Sequence, residues 1–492
     1  MNPLKQLAGQ TAIYGLSSVI ARILNFLLVP FYTRVFVNTA EYGIVNELYA
    51  YVAFFIIILT YGMETAFFRF SSKNADSQLV FTTSLLCLFF TSIIFALLVI
   101  IFYPSIGYLI GYQDKQKFIL LLGLVLSFDA IAAIPFARLR LHNYALKFAL
   151  IKLFNISINI FFNVLFLVFI PWLISKDYGI KYITVFYDSE FRVGYVFFSN
   201  LMASFFTLLF FIKDIFKTQF RFSFKLLRSM LFYSYPLLIA GLAGTVNEVI
   251  DRVMLKYRLP DCINALEQIG IYGANIKIAV LMALFVQMFR YASEPFFFSQ
   301  EKNSNNRELY AKVLHYFTIT GIFVFLIIAL YIDIFKYIIG FEYREGIKIV
   351  PVVLLGYFML GIYFNLSVWY KLKELTIFGA IFATSGAVIT LAVNYFFIPK
   401  FGYMASAWGH LLAYSFMSVL AYQIGRFYYP VPYNIKSIFL YIVLGVLIYA
   451  ISAYIEIDTL ALRLAFNTFF ILMFAIFVLF KENELVKSIL KR

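Results

Sequence analysis

The sequence predicts an all-α polytopic membrane protein with about fourteen transmembrane helices. Of its 492 residues, 63% are hydrophobic and only 13% are charged, whereas soluble proteins carry about 45–50% and about 25% of these classes. A soluble chain of this size has too much surface to cover with so few charges. Since one bilayer crossing takes about 20 residues, the hydrophobic residues suffice for about fourteen crossings. A soluble enzyme of one or several domains is therefore excluded.

The hydrophobic segments are long and continuous and lack period-two alternation, which favours helices over a β-barrel. They end where turn-forming and charged residues cluster, as at 71–76 and 301–307. The helices are predicted over residues 11–32, 44–66, 79–103, 117–136, 148–171, 193–212, 229–250, 269–290, 311–332, 349–368, 376–397, 404–424, 437–455 and 464–480. The longest predicted loop, 172–192, leaves no room for a globular catalytic domain, and the phosphate-binding motif GxxxxGK[ST] is absent.

The net charge of +15 is distributed unevenly between the two sides of the predicted membrane. With the N-terminus in the cytoplasm, and with Lys117 and Lys312 at helix ends counted with the loops they adjoin, the cytoplasmic loops and tails hold 22 Lys/Arg and 8 Asp/Glu, and the outer loops hold 14 and 13. This is the positive-inside bias, so both termini are predicted to be cytoplasmic. Because the basic residues are scattered in short loops, no nucleic-acid partner is expected.

Three sequence landmarks recur at an offset of about 228 residues, which indicates an internal repeat. The paired landmarks are YGI at 42–44 with IGI at 269–271, ETAFF at 64–68 with EPFFF at 294–298, and IP at 170–171 with IP at 398–399. Six helices per repeat is an even number, so both repeats enter the membrane from the same side. The repeats then form two similar bundles, related by an axis along the membrane normal, with a cleft between them.

This repeat predicts the domain organisation. An N-terminal six-helix bundle spans 1–212, a basic cytoplasmic linker spans 213–228, and a second six-helix bundle spans 229–425. Two additional transmembrane helices, over 434–480, have no counterpart in the repeat. Two related bundles around a cleft are typical of secondary transporters.

Several segments resemble one transporter family. The sequence NYFFIPKFGYMASAWG at 394–409 is similar to the junction of helices eleven and twelve in polysaccharide-biosynthesis flippases, although MASA replaces the usual Gly-Ala-Ala run. The segments FYTRVF at 31–36 and YGMETAFFRF at 61–70 resemble the start of the same family. These flippases belong to the multidrug/oligosaccharidyl-lipid/polysaccharide (MOP) exporter superfamily, whose MATE-like fold has the same plan of twelve helices plus two.

The resemblance implies a flippase rather than an enzyme. Such a protein moves a polyprenyl-diphosphate-linked oligosaccharide across the bacterial inner membrane for polysaccharide or lipopolysaccharide biosynthesis, by alternating access. Its partners would be the lipid-linked oligosaccharide, membrane lipid, a glycan polymerase and glycosyltransferases, and the family suggests ion antiport. Two alternatives stay open: a multidrug or small-molecule exporter of the same superfamily, and a membrane-embedded polysaccharide polymerase or ligase.

Basic residues inside the predicted helices are candidates for binding the anionic diphosphate, because an ion at a helix centre costs about 2.5–3.5 kcal/mol. Arg22 and Lys277 lie deep in the first and eighth helices, and Arg290 ends the eighth. Each has a structural alternative. Arg22 could pair with a carboxylate of the second helix, Lys277 could reach a backbone carbonyl, and Arg290 could pair with Glu294 four residues later. Lys152, near a cytoplasmic helix end, is expected to extend towards the interface.

Acidic residues in or at the ends of helices are candidates for ion coupling. Glu64 closes the second helix, Asp129 lies in the fourth, and Glu248 and Asp251 lie at the outer end of the seventh. Asp129 could titrate during transport or pair with Arg138. The acidic pair on the seventh helix could form a cation site at the mouth of the bundle or simply a solvated helix end.

Three asparagines, Asn155, Asn159 and Asn163, repeat every four residues along the fifth helix. Such a polar stripe suits sugar hydroxyls, and interhelical hydrogen bonds explain it equally well. We assign Asn155 and Asn159 to substrate binding. Cys87 and Cys262 have no Cys or His partner at metal-ligand spacing, so neither a metal site nor a cofactor is predicted.

Overall fold

The computed structural model describes residues 24–73, 76–176, 187–216, 221–299 and 306–482. Within these ranges the chain is helical and contains no β-strand. Twelve of the described helices are long and apolar enough to cross a membrane. Two further segments complete the fourteen predicted ones: residues 24–35, the described part of the first helix, and Tyr403–Tyr428, which is less apolar because it carries several tyrosines and a histidine. The predicted all-α polytopic membrane fold is confirmed.

The described chain forms two compact units. The first comprises the described residues up to 257 together with 261–270, and the second comprises 258–260 and the described residues from 271 onwards. The helices of the first unit are α1 (24–35), α2 (Thr39–Thr60), α3 (Met63–Lys73), α4 (Ser77–Leu109), α5 (Lys117–Leu141), α6 (Ala145–Val164), α7 (Ile170–Ser175), α8 (Gly194–Phe216) and α9 (Phe224–Arg258). The compact first unit thus contains α9, the helix that follows the predicted linker.

The helix α10 (Ala265–Ser299) begins in the first unit and continues into the second. The remaining long helices of the second unit are α11 (Asn306–Leu330), α12 (Val350–Leu366), α13 (Ile377–Phe401), α14 (Tyr403–Tyr428), α15 (Ile435–Tyr454) and α16 (Leu460–Lys481). The segment Phe341–Ile349 before α12 is a 3-10 helix.

Local sequence explains where the first helices begin and break. The Asn38 side chain caps α2 by accepting a hydrogen bond from the Ala40 amide at 3.0 Å. Tyr61 and Gly62 take positive φ values of 33° and 71°, which interrupts the helix between α2 and α3 within one membrane span. Between α6 and α7 the chain makes a π-helical turn at Leu165–Phe169, just before Pro171.

Aromatic and aliphatic side chains pack the part of the first unit that contains α3 and the beginnings of α4 and α9. Phe67 of α3, Phe81 of α4 and Met230 of α9 are nearly inaccessible and belong to one cluster. Phe136 of α5 lies 4.9 Å from Phe211 of α8, ring centre to ring centre. These contacts fix α3, α5 and α8 around the cavity described below.

In the second unit, α15 and α16 are fastened to α11 and to the short helix Ile332–Phe335 that follows it. At one end the Arg463 guanidinium lies 2.7 Å from the Asp333 carboxylate, and the Asn467 side chain donates to the Leu330 carbonyl at 2.6 Å. At the other end the Glu482 carboxylate accepts from the Tyr441 hydroxyl at 2.7 Å and lies 2.9 Å from His315. The two additional C-terminal helices are therefore an integral part of this unit.

Candidate functional site

A polar cavity of about 430 Å³ lies inside the first unit, among helices that are long and apolar enough to span a membrane. Apolar side chains such as Ile56, Phe136 and Phe148 form part of its wall. The polar residues that line it are Thr60, Glu64, Asp129, Arg140, Lys152, Asn155, Asn200, Ser204 and Thr207. The cavity thus gathers side chains from α2, α3, α5, α6 and α8. Two acidic and two basic residues make its lining electrically neutral when all four are ionised.

One ion pair of the cavity joins α3 to α5. Arg140 contacts the Glu64 carboxylate, and the two side chains keep 35% and 39% of their surface accessible. The Arg140 guanidinium also lies 5.0 Å from the centre of the Phe68 ring and 5.9 Å from that of Phe148. The pair is therefore held by aromatic neighbours while one side stays open to the cavity. An incoming anion could contact this arginine without removing it from the protein wall.

The second charged pair joins α5 to α6. Asp129 accepts a hydrogen bond from the Ser204 side chain, and the charge of Lys152 acts on it. The Lys152 ammonium lies 4.2 Å from the centre of the Phe136 ring. Asp129 is exposed even though it lies midway along α5, because its surface faces the cavity. Lys152, which was expected to extend towards the interface, lines the cavity beside Asp129.

Neutral hydrogen-bonding groups complete the cavity. Asn155 of α6 donates to the Thr207 hydroxyl of α8 at 2.9 Å. Asn200 of α8 donates to the Tyr49 hydroxyl at 3.0 Å. Such amides and hydroxyls suit water or sugar hydroxyls, because each both donates and accepts hydrogen bonds.

The asparagine stripe divides between two roles. Asn155 lines the cavity, as expected for a substrate-facing residue. Asn163 accepts a hydrogen bond from the Tyr32 hydroxyl of α1 at 3.0 Å, and its amide donates to the Asn159 side chain at 2.5 Å. The assignment of Asn159 to substrate binding therefore competes with this hydrogen-bond chain, which links α6 to α1.

The predicted basic residues lie elsewhere. Arg22 lies outside the described residues. Lys277 is half-buried on α10, in the second unit. Arg290 lies 3.2 Å from Glu294, the pairing that its spacing allows, and Lys371 contacts the same carboxylate. The Arg290 guanidinium thus contacts both Glu294 and the Phe364 ring, whose centre lies 4.7 Å away.

The acidic residues of α9 are partly buried. Asp251 is 1% exposed and lies 3.1 Å from the Arg252 guanidinium, which also donates to the Glu248 carbonyl at 2.6 Å. The Glu248 side chain is exposed. Asp251 and Arg252 therefore do not form a solvated helix end.

Asp129 has Lys152 as its charged neighbour, whereas the predicted alternative partner, Arg138, lies elsewhere. The Arg138 guanidinium contacts Gln78 at 3.3 Å and lies over the Phe81 ring.

Sequence reasoning missed Arg140 because it ended the fourth helix at residue 136. The helix continues to Leu141, which keeps Arg140 on the face of α5 that carries Asp129. Eleven residues separate the two, which is three helical turns, so this spacing was the available signal. Among the described residues, no group of His, Cys, Asp and Glu side chains is arranged to hold a metal ion.

The family model for polysaccharide biosynthesis proteins matches residues 7–300, more than half of the chain. The chain belongs to the polysaccharide biosynthesis protein family. No curated protein sequence matches it. The membership agrees with the predicted resemblance, and the matched residues include α2, α3, α5, α6 and α8, the helices that line the cavity.

Several solved structures have the same fold as this member of the polysaccharide biosynthesis family. An inward closed conformation of the lipid II flippase MurJ is 17% identical, with 94% of this chain and 98% of that chain covered and a TM-score of 0.69. A MATE protein in a straight conformation is 12% identical, with 87% and 96% covered and a TM-score of 0.59. A MOP superfamily transporter from Pyrococcus furiosus is 11% identical, with 85% and 97% covered and a TM-score of 0.55.

Proposed function

We propose that this protein is a flippase that moves a polyprenyl-diphosphate-linked oligosaccharide from the inner to the outer leaflet of the bacterial inner membrane. Family membership supports a role in polysaccharide biosynthesis, and the MurJ-like fold supports a transporter of lipid-linked material. The observation that carries the proposal is the polar cavity of the first unit, with two cationic side chains inside membrane-spanning helices. We place both termini in the cytoplasm, as the charge bias predicts.

The chemistry of the cavity suits a phosphate-bearing head group. Arg140 and Lys152 provide one planar guanidinium and one ammonium, the two groups that proteins use to bind phosphate. In the structure each is balanced by a carboxylate, Glu64 or Asp129, which lowers the free-energy cost of holding it in the membrane. A diphosphate would compete with these carboxylates for the same cations. Asn155 and the neighbouring hydroxyls would then face the sugar.

This competition also suggests how ions couple to transport. When an anion takes Arg140 and Lys152, Glu64 and Asp129 lose their counter-charges inside the membrane. A carboxylate without a counter-charge is expensive there, so each would take up a proton or a sodium ion. We therefore propose Glu64 and Asp129 as the coupling residues. Alternating access would expose the cavity to one side of the membrane at a time.

The two alternative functions predict different cavities. A multidrug exporter would present mainly acidic residues to cationic drugs, whereas this cavity has equal numbers of acidic and basic side chains. A polymerase or ligase would need a large outer loop or a catalytic histidine in its site. A glycan polymerase and glycosyltransferases remain the proposed partners, since they would consume and supply the lipid-linked sugar.

Charge-removing variants test the proposal in a bacterial strain that lacks its own flippase for the same glycan. We expect Arg140→Gln and Lys152→Gln to reduce surface glycan by about tenfold or more at normal protein abundance, since each removes a charge-assisted contact of about 1.5–3 kcal/mol. Lipid-linked oligosaccharide should accumulate on the cytoplasmic side. Lys147→Gln is the matched control, because Lys147 lies on α6 like Lys152 but pairs with Asp214 outside this cavity.

The control should export glycan normally. Normal export by both cavity variants would show that the head group does not pass through this cavity. Loss of the variant proteins from the membrane would instead make the two ion pairs structural. A wild-type chain that restores no glycan from any lipid-linked precursor would contradict the proposed substrate class.

A further inference from the structure

A buried glutamate links α2, the segment between α4 and α5, and the C-terminal end of α9. Glu47 of α2 is 0% exposed. Its carboxylate accepts hydrogen bonds from the Lys256 ammonium at 2.8 Å and from the Tyr112 hydroxyl at 2.5 Å. The same ammonium donates to the Ile110 carbonyl at 2.6 Å. We call Glu47, Lys256 and Tyr112 the outer clasp, since the predicted topology places this end outside.

Two glycines lie next to the outer clasp, in a crossing of α2 with the start of α10. A Cβ atom on Gly43 would lie 1.9 Å from the Leu266 carbonyl oxygen, and one on Gly270 would lie 1.9 Å from the Thr39 carbonyl oxygen. The contacts are reciprocal, and both Gly43 with Gly270 and Thr39 with Leu266 are 227 residues apart. This is the offset of the sequence repeat, so the crossing lies on a local pseudo-two-fold axis.

The chemistry of this end suits a contact that opens and closes. If this end were closed by interlocking apolar side chains, opening would expose their surface to water, at a free-energy cost of about 25 cal/mol for each Å². Glu47 and Lys256 are instead hydrated when they separate, which offsets the loss of their ion pair. At the glycine crossing the two backbones meet directly, because neither glycine carries a side chain that could interlock. Both contacts therefore hold this end closed while keeping the free energy of opening small.

We propose that the outer clasp and the glycine crossing form a reversible closure that opens towards the outside during each transport cycle. The proposal rests on the flippase function and the topology proposed above. In the closed state α2 holds the end of α9 and the start of α10. In the open state Glu47 and Lys256 would face water, and the head group would leave by this route.

Cysteine accessibility tests whether this end opens. Ala50, one turn after Glu47 on α2, is 2% exposed. Ala50→Cys, in a chain carrying Cys87→Ser and Cys262→Ser, is treated with a membrane-impermeant maleimide in right-side-out vesicles. We expect slow labelling that Glu47→Gln accelerates by about tenfold or more, because Lys256 then lacks its counter-charge in the closed state.

Glu41→Gln is the matched control for the labelling experiment. Glu41 lies on the same helix at the same end and pairs with Arg192 at 3.7 Å instead of joining the clasp. It should leave the labelling rate unchanged. Absence of labelling in all variants, or equal acceleration by both glutamine variants, would overturn the proposal.

A covalent clasp tests whether opening is needed for export. Glu47→Cys with Lys256→Cys can be joined by a short bifunctional methanethiosulfonate reagent, in place of the two side chains that meet there. We expect the cross-link to abolish glycan export and dithiothreitol to restore it. Full export by the cross-linked protein, or failure of the pair to cross-link, would overturn the closure. Labelling and cross-linking need no substrate, so they report on the closure even if the wild-type chain restores no glycan, which would remove the proposed function instead.

Discussion

Adding one methyl group at the glycine crossing should loosen the outer end of the first unit. In Gly43→Ala the new Cβ atom would lie 1.9 Å from the Leu266 carbonyl oxygen. Ordinary contacts of a Cβ atom begin at 3.4 Å, so the two backbones must separate by about 1.5 Å. The obstacle is a backbone atom, and no side-chain rotation can relieve the contact.

This displacement also sets the expected magnitude. Overpacking by one methyl group typically costs about 1–3 kcal/mol. A shift of the same size along the Lys256–Glu47 hydrogen bond would lengthen it from 2.8 Å to beyond the range of about 3.2 Å for such bonds. We therefore expect Gly43→Ala to destabilise the first unit and to weaken the outer clasp at the same time. Gly270→Ala should have the same two effects, because a Cβ atom there would lie 1.9 Å from the Thr39 carbonyl oxygen.

Gly244→Ala on α9 is the control, since a Cβ atom there meets nothing within 4 Å. It should be neutral or stabilising by up to about 1 kcal/mol, the usual gain of alanine over glycine in a helix. The measurement is the thermal unfolding midpoint of each purified variant in detergent, together with the labelling rate of Ala50→Cys. A Gly43→Ala protein as stable as Gly244→Ala, with an unchanged labelling rate, would refute the close crossing.

Three further predictions address the charges. Asp129→Asn and Lys152→Met should each lower the thermal unfolding midpoint of the purified protein more than the double variant does, because each single change leaves one charge uncompensated in the membrane; additive shifts of the midpoint would show that the two residues act separately. Burial alone would raise the pKa of Glu482, but the hydrogen bonds with Tyr441 and His315 outweigh it and lower that pKa. The contribution of Glu482 to stability is therefore present above the pKa of the unfolded carboxyl. It is lost as the pH falls through the folded pKa. Glu482→Gln should therefore lower the thermal midpoint at pH 7, and a difference that persists below about pH 3 would contradict this account. Reporter fusions at Lys217 and Lys491 should both indicate cytoplasm, and an outside signal at either position would break the proposed topology.

The sequence was sufficient to predict the helices, because a bilayer imposes a long apolar run on each crossing. Helix ends were harder to predict. The α9 helix extends to Arg258, eight residues beyond its predicted end, since polar residues stay helical once they leave the hydrocarbon. Those extra residues carry Lys256, and the extra turn of α5 carries Arg140. The predicted helix bounds therefore placed Lys256 and Arg140 in loops.

The candidate site was predicted in part. Glu64 and Asp129 were selected as acidic residues in or at the end of apolar helices, and Asn155 for the four-residue repeat of asparagines; the structure brings all three to one cavity. Their partners could not be predicted in this way. Pairing depends on which helices are neighbours, and Glu64 lies 76 residues from Arg140 in the chain, while Glu47 lies 209 residues from Lys256. A periodic pattern within one helix contains no information about such a neighbour.

These pairings change what an intramembrane charge implies. Considered alone, each of the four ions of the cavity would be a costly residue retained for function. As two pairs they keep the lining neutral, so the cavity can exist without substrate at a moderate cost. The same neutrality means that a diphosphate cannot bind by adding its charge to an empty cationic site. In the proposed flippase it would have to exchange with Glu64 and Asp129, and that exchange would tie movement of the head group to uptake of a proton or sodium ion.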